Sequence, residues 1–327
     1  MGPILKIVCI LAIIAFFLLF LSYATFYIVF YEPKRKKINK EEYIFPRGKI
    51  YDPYKELMTR WQKNAREMGY KEFYITSHDG LQLYGMYFEY ESGAPMEIMF
   101  HGYRGCAMRD MAGGIERAFS VGRNVLLVEQ RTSRESEGRV ITFGIKEHRD
   151  VLSWVDFAVH HFGADVQIIL TGISMGAATV MMAAGCDLPP QVVGVLADCG
   201  YTSPERIIKT VIRQCHLPVF LVYPLVKLSA RLWGHFDLEE YSPMEAMKTC
   251  KLPILFAHGE ADNLVPCSMS RENYDACTAP KYLLTVPGAG HGLAYGVEPD
   301  RYLEVVADFY TKSGIPTSVI KKRPPNS

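Results

Sequence analysis

The hydrophobic and polar positions divide the chain into three stretches of different character. Ile7 to Tyr31 carries no charge and is dominated by Ile, Leu, Phe, Ala and Val. As a helix rising about 1.5 Å per residue, a run of this length crosses a hydrocarbon layer of about 30 Å. Residues 32–69 mix charge with scattered apolar positions. Within them Tyr54 to Met68, with alternating charges around Leu57, Trp61 and Met68, predicts an amphipathic helix. From residue 70 onward, short apolar runs alternate with longer segments of helical period.

The alternation can be read element by element. Phe73 to Ser77 and Leu81 to Tyr90 form an antiparallel pair across the turn signal His78-Asp79-Gly80. Further strands are expected at 97–101, 124–129, 167–171, 192–197, 253–257 and 282–286, with helices near 107–121, 145–161, 175–186, 268–278 and 299–312. Buried strands alternating with helices predict an α/β fold whose central, mostly parallel sheet is covered on both faces. The interval from Tyr201 to Thr249 has no clear strand and is too long for an ordinary crossover. Its aromatic and aliphatic positions, including Phe220, Tyr223, Trp233 and Phe236, predict a small helical lid. The expected organisation is an anchor at 1–31, a basic juxtamembrane linker with an amphipathic helix at 32–69, and an α/β domain at 70–327 with its lid at about 201–249.

Composition sharpens this picture. The 327 residues are 49% hydrophobic, enough for one large core or at most two domains. A formal net charge of +1 offers no basic surface of the kind nucleic acid requires. The eight cysteines form no C-x-x-C pair and no zinc-like spacing, so neither a metal site nor a disulfide framework is expected. A cleavable signal would have an apolar region of about 7–15 residues ending in small side chains. Here the run ends in Phe26-Tyr27-Ile28-Val29-Phe30-Tyr31, an aromatic belt that favours a retained single-pass anchor. Lys34, Arg35, Lys36, Lys37 and Lys40 follow the span, while only Lys6 and the amino terminus precede it. That bias places the large C-terminal part in the cytoplasm, and unpaired cysteines agree with a reducing compartment.

The chemistry centres on Gly172-Ile173-Ser174-Met175-Gly176, a G-x-S-x-G sequence. It follows the apolar run Val166 to Thr171 and opens the small-residue run Ala177 to Ala184, which predicts a strand, a sharp turn and a helix that present the serine hydroxyl. A serine hydroxyl needs a base within hydrogen-bond reach, itself oriented by a third group. His291 lies in the glycine-flanked loop 287–292 after the last expected strand, and Asp262 lies in the loop after the preceding one. Glu260 competes with Asp262, two residues earlier. Among other histidines, His160-His161 reads as surface and His258 as a residue packing a turn. Ser174, Asp262 and His291 follow the carboxyl ends of strands, where open α/β sheets place their sites, and in the chain order Ser, Asp, His.

With these residues in place, the chain resembles the α/β-hydrolase superfamily, and within it the serine-aminopeptidase-like and membrane-anchored esterase-like branch. The resemblance covers roughly Phe73 to Thr311 and rests on the elbow, the D-x-x-V-P loop and the G-H-G turn. It implies Ser174 as nucleophile, His291 as proton shuttle and Asp262 as the acid that fixes the imidazole. A developing oxyanion needs preformed donors. One is the amide of Met175, and the H-G-x-x-G loop at His101 to Gly105 implies the amide of Tyr103 as the second. Arg104 in that loop reads as solvated, with a substrate carboxylate as its alternative partner. Cys106 and Cys199 read as buried structural thiols. Residues 129–138 depart from the family pattern, with Thr132-Ser133-Arg134 where relatives commonly show Ala-His-Gly, which puts the loop geometry near the site in question.

The resemblance implies acyl transfer to water without metal or organic cofactor, and the first expectation is an esterase on small to medium or lipid-like acyl esters. Phe220, Tyr223 and Trp233 are expected to receive an apolar acyl or alcohol group. The expected partners are a small-molecule ester or lipid-like substrate and the membrane, not nucleic acid. Fold and triad serve amides, peptides and thioesters as well. A peptidase or amidase would need acidic groups near the lid; Glu239, Glu240 and Glu245 are available but read as a solvated charge run. A catalytically silent membrane scaffold is the alternative of a different class, though it has no need to keep all four elements of the site.

Overall fold

Apolar runs of five to seven residues, too short for stable helices, become strands here, and the segments between them with helical period become the covering layers. The computed structural model describes residues 2–34 and 42–316. The basic residues Arg35, Lys36, Lys37 and Lys40, and residues 317–327 of the expected α/β domain, lie outside the described residues.

In chain order the elements begin with α1 (Pro3–Val29), a 3₁₀ turn (Lys49–Tyr54), α2 (Lys55–Met68), β1 (Lys71–Thr76), β2 (Gln82–Phe88) and β3 (Met96–Phe100). Then follow α3 (Ala107–Ser120), β4 (Asn124–Glu129), α4 (Glu147–Phe162), β5 (Ile168–Ile173), α5 (Met175–Ala184) and β6 (Val192–Asp198). Next are α6 (Pro204–Gln214), α7 (Val219–Ser229), a π-helical turn (Ala230–Gly234) and α8 (Pro243–Thr249). The chain closes with β7 (Ile254–Gly259), α9 (Cys267–Ala276), β8 (Lys281–Val286), α10 (Ala294–Val297) and α11 (Pro299–Lys312).

The eight strands form one sheet in the order β1-β2-β4-β3-β5-β6-β7-β8. β2 runs antiparallel to β1 and β4, and all other neighbours are parallel. β3, β4 and β7 are buried along their whole length, which explains why their sequences read as continuous apolar runs instead of alternating ones. Helices α4, α5, α8 and α9 cover one face around Trp154, Phe100, Leu170 and Phe256. Helices α3, α10 and α11 cover the other, with Met99, Ile115, Val306 and Phe309 among the buried contacts. The fold is the expected α/β architecture, preceded by one long apolar helix.

Three regions refine the expectation. The inward stripe of α2 is Met58, Gln62 and Ala65 with Trp61 half-buried, while Met68 is exposed. The stripe is set by α3, because Trp61 lies over Gly113 and donates to Glu116 at 3.0 Å. In the 201–249 interval, α8 buries Ala246 and Met247 completely under α5, so this helix belongs to the sheet-covering layer. The rest of that interval packs against α1: Phe26 and Phe30 share a cluster with Tyr223, Val226, Ala230 and Phe236. The chain leaving α1 then bridges to Val140 through Tyr31, and Glu32 N–H donates to the Arg139 carbonyl at 2.8 Å.

Candidate active site

The turn from β5 into α5 holds Ser174 at φ 56°, ψ −118°, backbone that side chains other than glycine rarely adopt. Glycine is required on both sides. A Cβ on Gly172 would collide with the Gly176 backbone, and one on Gly176 with the Phe100 carbonyl. The Ser174 N–H donates to the Asp198 carbonyl on β6 at 2.8 Å, which ties the turn to the neighbouring strand end.

The three residues singled out for chemistry form one hydrogen-bonded chain. Ser174 Oγ lies 2.9 Å from His291 Nε2, and His291 Nδ1 lies 2.6 Å from Asp262 Oδ2. A carboxylate only accepts, so Nδ1 carries the proton and Nε2 receives the serine hydroxyl. The Asp262 side chain is fully buried and saturated. Its Oδ1 accepts from the Leu264 and Val265 N–H groups at 2.8 and 2.9 Å, and its Oδ2 also meets His258 Nε2 at 3.2 Å. Burial pushes the Asp262 carboxyl up, but the hydrogen bonds from His258 and His291, the charge at His291 and the Val265 amide outweigh it. The net result holds the carboxyl well below the usual carboxylate range. Glu260 points elsewhere, accepting from Thr285 and pairing with Arg271.

His258, read from sequence as packing a turn, does more. It is fully buried, and its Nε2 faces two acceptors, Asp262 Oδ2 and the Val265 carbonyl at 2.9 Å, so Nε2 donates and Ser270 Oγ donates to Nδ1 at 2.7 Å. Tyr51 was also missed: its hydroxyl donates to the His291 carbonyl at 3.0 Å. Burial foremost, then nearby anionic groups, pushes this phenol far up, so it stays a donor.

The loop 101–105 lies against the elbow, where a Cβ on Gly102 would stand 3.4 Å from the Ser174 Cβ. Asp110 Oδ2 accepts from Gly102 N–H at 3.1 Å, and His101 is held through Gln130 N–H at 3.1 Å. Among the described residues, neither the Tyr103 nor the Met175 N–H donates to a protein acceptor. Ser133 joins this loop to the next one, its hydroxyl donating to Glu129 at 2.6 Å and lying 3.1 Å from the Gly105 carbonyl, which explains how the atypical 132–134 segment serves the local geometry. Cys106 and Cys199 are buried as expected; burial pushes the Cys106 thiol up to about 11 and the Cys199 thiol up as well.

A cleft of about 980 Å³ opens above Ser174 and His291. One wall is Gly102, Tyr103, Ile173 and Gly292 at the carboxyl end of the sheet. The other is Tyr27, Ile28 and Tyr31 from the end of α1, with Phe45 and Tyr51 from the segment before α2. Arg104 is not a solvated loop residue. It pairs with Glu32 at 3.0 Å and donates to the Ile28 and Tyr31 carbonyls at 2.9 Å each, capping the end of α1. Tyr103 OH donates to the Val29 carbonyl at 2.6 Å.

The aromatics Phe220, Tyr223 and Trp233, expected to bind substrate, do not line this cleft. Phe220 points outward and is 76% exposed. Tyr223 is buried against the α1 cluster with its hydroxyl on Glu239. Trp233 donates to Ser22 Oγ at 3.1 Å. Tyr27 and Ile28 at the end of α1, and Tyr31 just after it, line the cleft instead.

No family model matches the chain. It is 26% identical over 193 residues to the uncharacterized protein YqkD of Bacillus subtilis, an alignment covering 58% of this chain and 62% of that protein. Among solved structures, the Pyrococcus furiosus esterase Pf2001 superposes with a TM-score of 0.63 at 22% identity, over 85% of this chain and 98% of the esterase. Est1E of Butyrivibrio proteoclasticus, solved with ferulic acid bound, gives a TM-score of 0.58 at 19% identity, over 75% of this chain and all of Est1E. The eight-stranded sheet, the elbow after β5 and these superpositions together give the chain the α/β-hydrolase fold.

Proposed function

We propose that the protein is a membrane-anchored serine hydrolase that cleaves carboxylic esters. The observation that carries this is the unbroken chain from Ser174 Oγ through His291 to the buried, ionised Asp262. Ser174 attacks the ester carbonyl while its proton passes to His291 Nε2. Asp262, held as a carboxylate, stabilises the imidazolium that forms. The oxyanion of the tetrahedral intermediate receives the Met175 and Tyr103 N–H groups. Collapse breaks the ester C–O bond as His291 returns the proton to the leaving alcohol. Water then repeats the sequence on the acyl-enzyme, with His291 as base, and releases the acid and Ser174.

Ester chemistry is favoured over aminopeptidase chemistry by where the acidic groups are engaged. Glu239 pairs with Lys227 and Tyr223, Glu240 faces Arg149, and Glu245 bonds Ser242, all away from the cleft. Within the cleft, Glu32 and Asp110 are paired with Arg104 and Arg109. A helix with the length and composition of α1 supports a single-pass anchor, and the basic flank Lys34 to Lys40 supports a cytoplasmic domain.

The test is turnover of a nitrophenyl ester series by the full chain and by Ser174→Ala. Loss of roughly ten-thousand-fold or more is expected in the variant. Equal turnover by both proteins would overturn the assignment.

A further inference from the structure

We infer that the face formed by α7, the π-helical turn and the end of α1 rests on the membrane surface, and that the cleft takes long-chain acyl esters laterally from that membrane. The substrate half rests on the hydrolase function proposed above; the docking half does not.

Helix α1 has two halves with different surroundings. From Pro3 to Leu21 no residue is buried, and this part is about 28 Å long, close to the roughly 30 Å of a hydrocarbon core. From Ser22 onward the helix joins the domain: Ser22 and Phe30 are fully buried and Phe26 nearly so. The hydrocarbon boundary therefore falls at about Ser22, where the folded domain begins. At that level Tyr23 and Trp233 meet edge to face, with ring centroids 5.1 Å apart, while the Trp233 indole bonds Ser22. Paired amphipathic rings suit the membrane interface. Phe26 in α1 and Phe30 just after it are part of the domain's packing, which favours a retained anchor over a removed leader.

Helix α7 carries one charged residue, Lys227, which pairs with Glu239, and is otherwise apolar on both its inner and its outer stripe, which a helix on a water-facing surface is not. One stripe, Tyr223, Val226 and then Ala230, packs on α1. The opposite stripe is Leu217, Phe220, Leu221, Leu228 and Leu232, between 42% and 76% exposed. Through Trp233 and Tyr23 this stripe meets the exposed surface of α1, so a mainly apolar surface, interrupted by the Arg231–Asp237 pair, runs from the span onto the domain. The occupant that fits a surface continuous with a spanning helix is the same bilayer.

The cleft opens beside this boundary. Tyr27, the first α1 residue in its wall, stands about 8 Å along the helix from Ser22, at the depth of the interfacial layer. Ester carbonyls of bilayer lipids lie in that layer. An acyl ester can thus reach Ser174 past Tyr27, Ile28 and Tyr31 while its chain stays in the membrane.

Two measurements on the full chain in phosphatidylcholine vesicles test this. In the first, the Ser174→Ala protein is photolysed with phosphatidylcholine carrying a diazirine on its acyl chain. Adducts are expected on residues 217–233 as well as on α1; adducts confined to Pro3–Leu21 would overturn the docking. In the second, the double variant Leu217→Ser/Leu221→Ser is assayed on vesicle-borne monooleoylglycerol and on soluble nitrophenyl butyrate. A loss of about tenfold on the vesicle ester, with less than twofold change on the soluble one, is expected. Equal change on both esters would overturn lateral entry. A wild-type chain inert to both would instead overturn the esterase assignment, leaving the photolysis result to decide the docking.

Discussion

On one side of the cleft, Ser174, Asp262 and His291 follow the ends of parallel strands, of which β5 and β7 are buried along nearly their whole length and β8 is half-buried. On the other, Tyr27 and Ile28 end an apolar helix, Tyr31 follows it, and Phe45 and Tyr51 belong to the segment before α2. The first side is held by the sheet and by side chains fixed in each other's hydrogen bonds. The second is held by attachments between segments far apart in sequence: Arg104 to Glu32 and the α1 carbonyls, Tyr103 to Val29, and Tyr51 to His291. The difference suggests a division of labour, with chemistry set by the sheet side and access set by the membrane side.

The largest effect should come from breaking the sheet side. Asp262→Asn is expected to lower kcat about ten-thousand-fold, because the imidazole loses the acceptor that fixes its tautomer. The same variant gives a pH test. A carboxyl held below its ordinary value stabilises the fold above that value, and the benefit fades as acid protonates it. The Tm difference between wild type and Asp262→Asn should therefore be constant above about pH 5 and shrink below about pH 4, around the ordinary aspartate value of 3.8. A difference that grew in acid would contradict the assigned ionisation.

A smaller effect should sharpen the comparison from the other side. Tyr51→Phe removes one hydrogen bond to the His291 carbonyl and leaves the three-residue chain intact. A loss of a few-fold in kcat with KM nearly unchanged is expected, from about 1 kcal/mol of lost positioning. An unchanged kcat with a lowered Tm would assign Tyr51 to the fold alone.

The sheet side was legible in the sequence because it obeys local rules. Glycines around Ser174, and loops directly after apolar runs, mark Asp262 and His291 without any knowledge of distant contacts. All eight strands were legible for the same reason. The membrane side was not, because its contacts join residues more than seventy positions apart, such as Arg104 with Ile28. The aromatics of α7 were recognised as unusual but assigned to substrate, since composition does not reveal which of two stripes faces α1 and which faces outward. Glu97 escaped for a similar reason. It lies wholly buried in β3, where burial would raise its carboxyl but Arg117 outweighs that and lowers it, while Thr171 and Tyr310 donate at 2.7 and 2.9 Å. Only tertiary partners make such a residue tolerable in a strand.

The most direct test of the central claim is trapping the acyl-enzyme. The full chain is mixed with a nitrophenyl ester, quenched in acid within the first turnovers and digested for mass spectrometry. The expected result is one acyl group on the peptide carrying Ser174, absent from Ser174→Ala. Acylation of another residue, or turnover with no acylated peptide in a quench fast enough to catch it, would contradict the account.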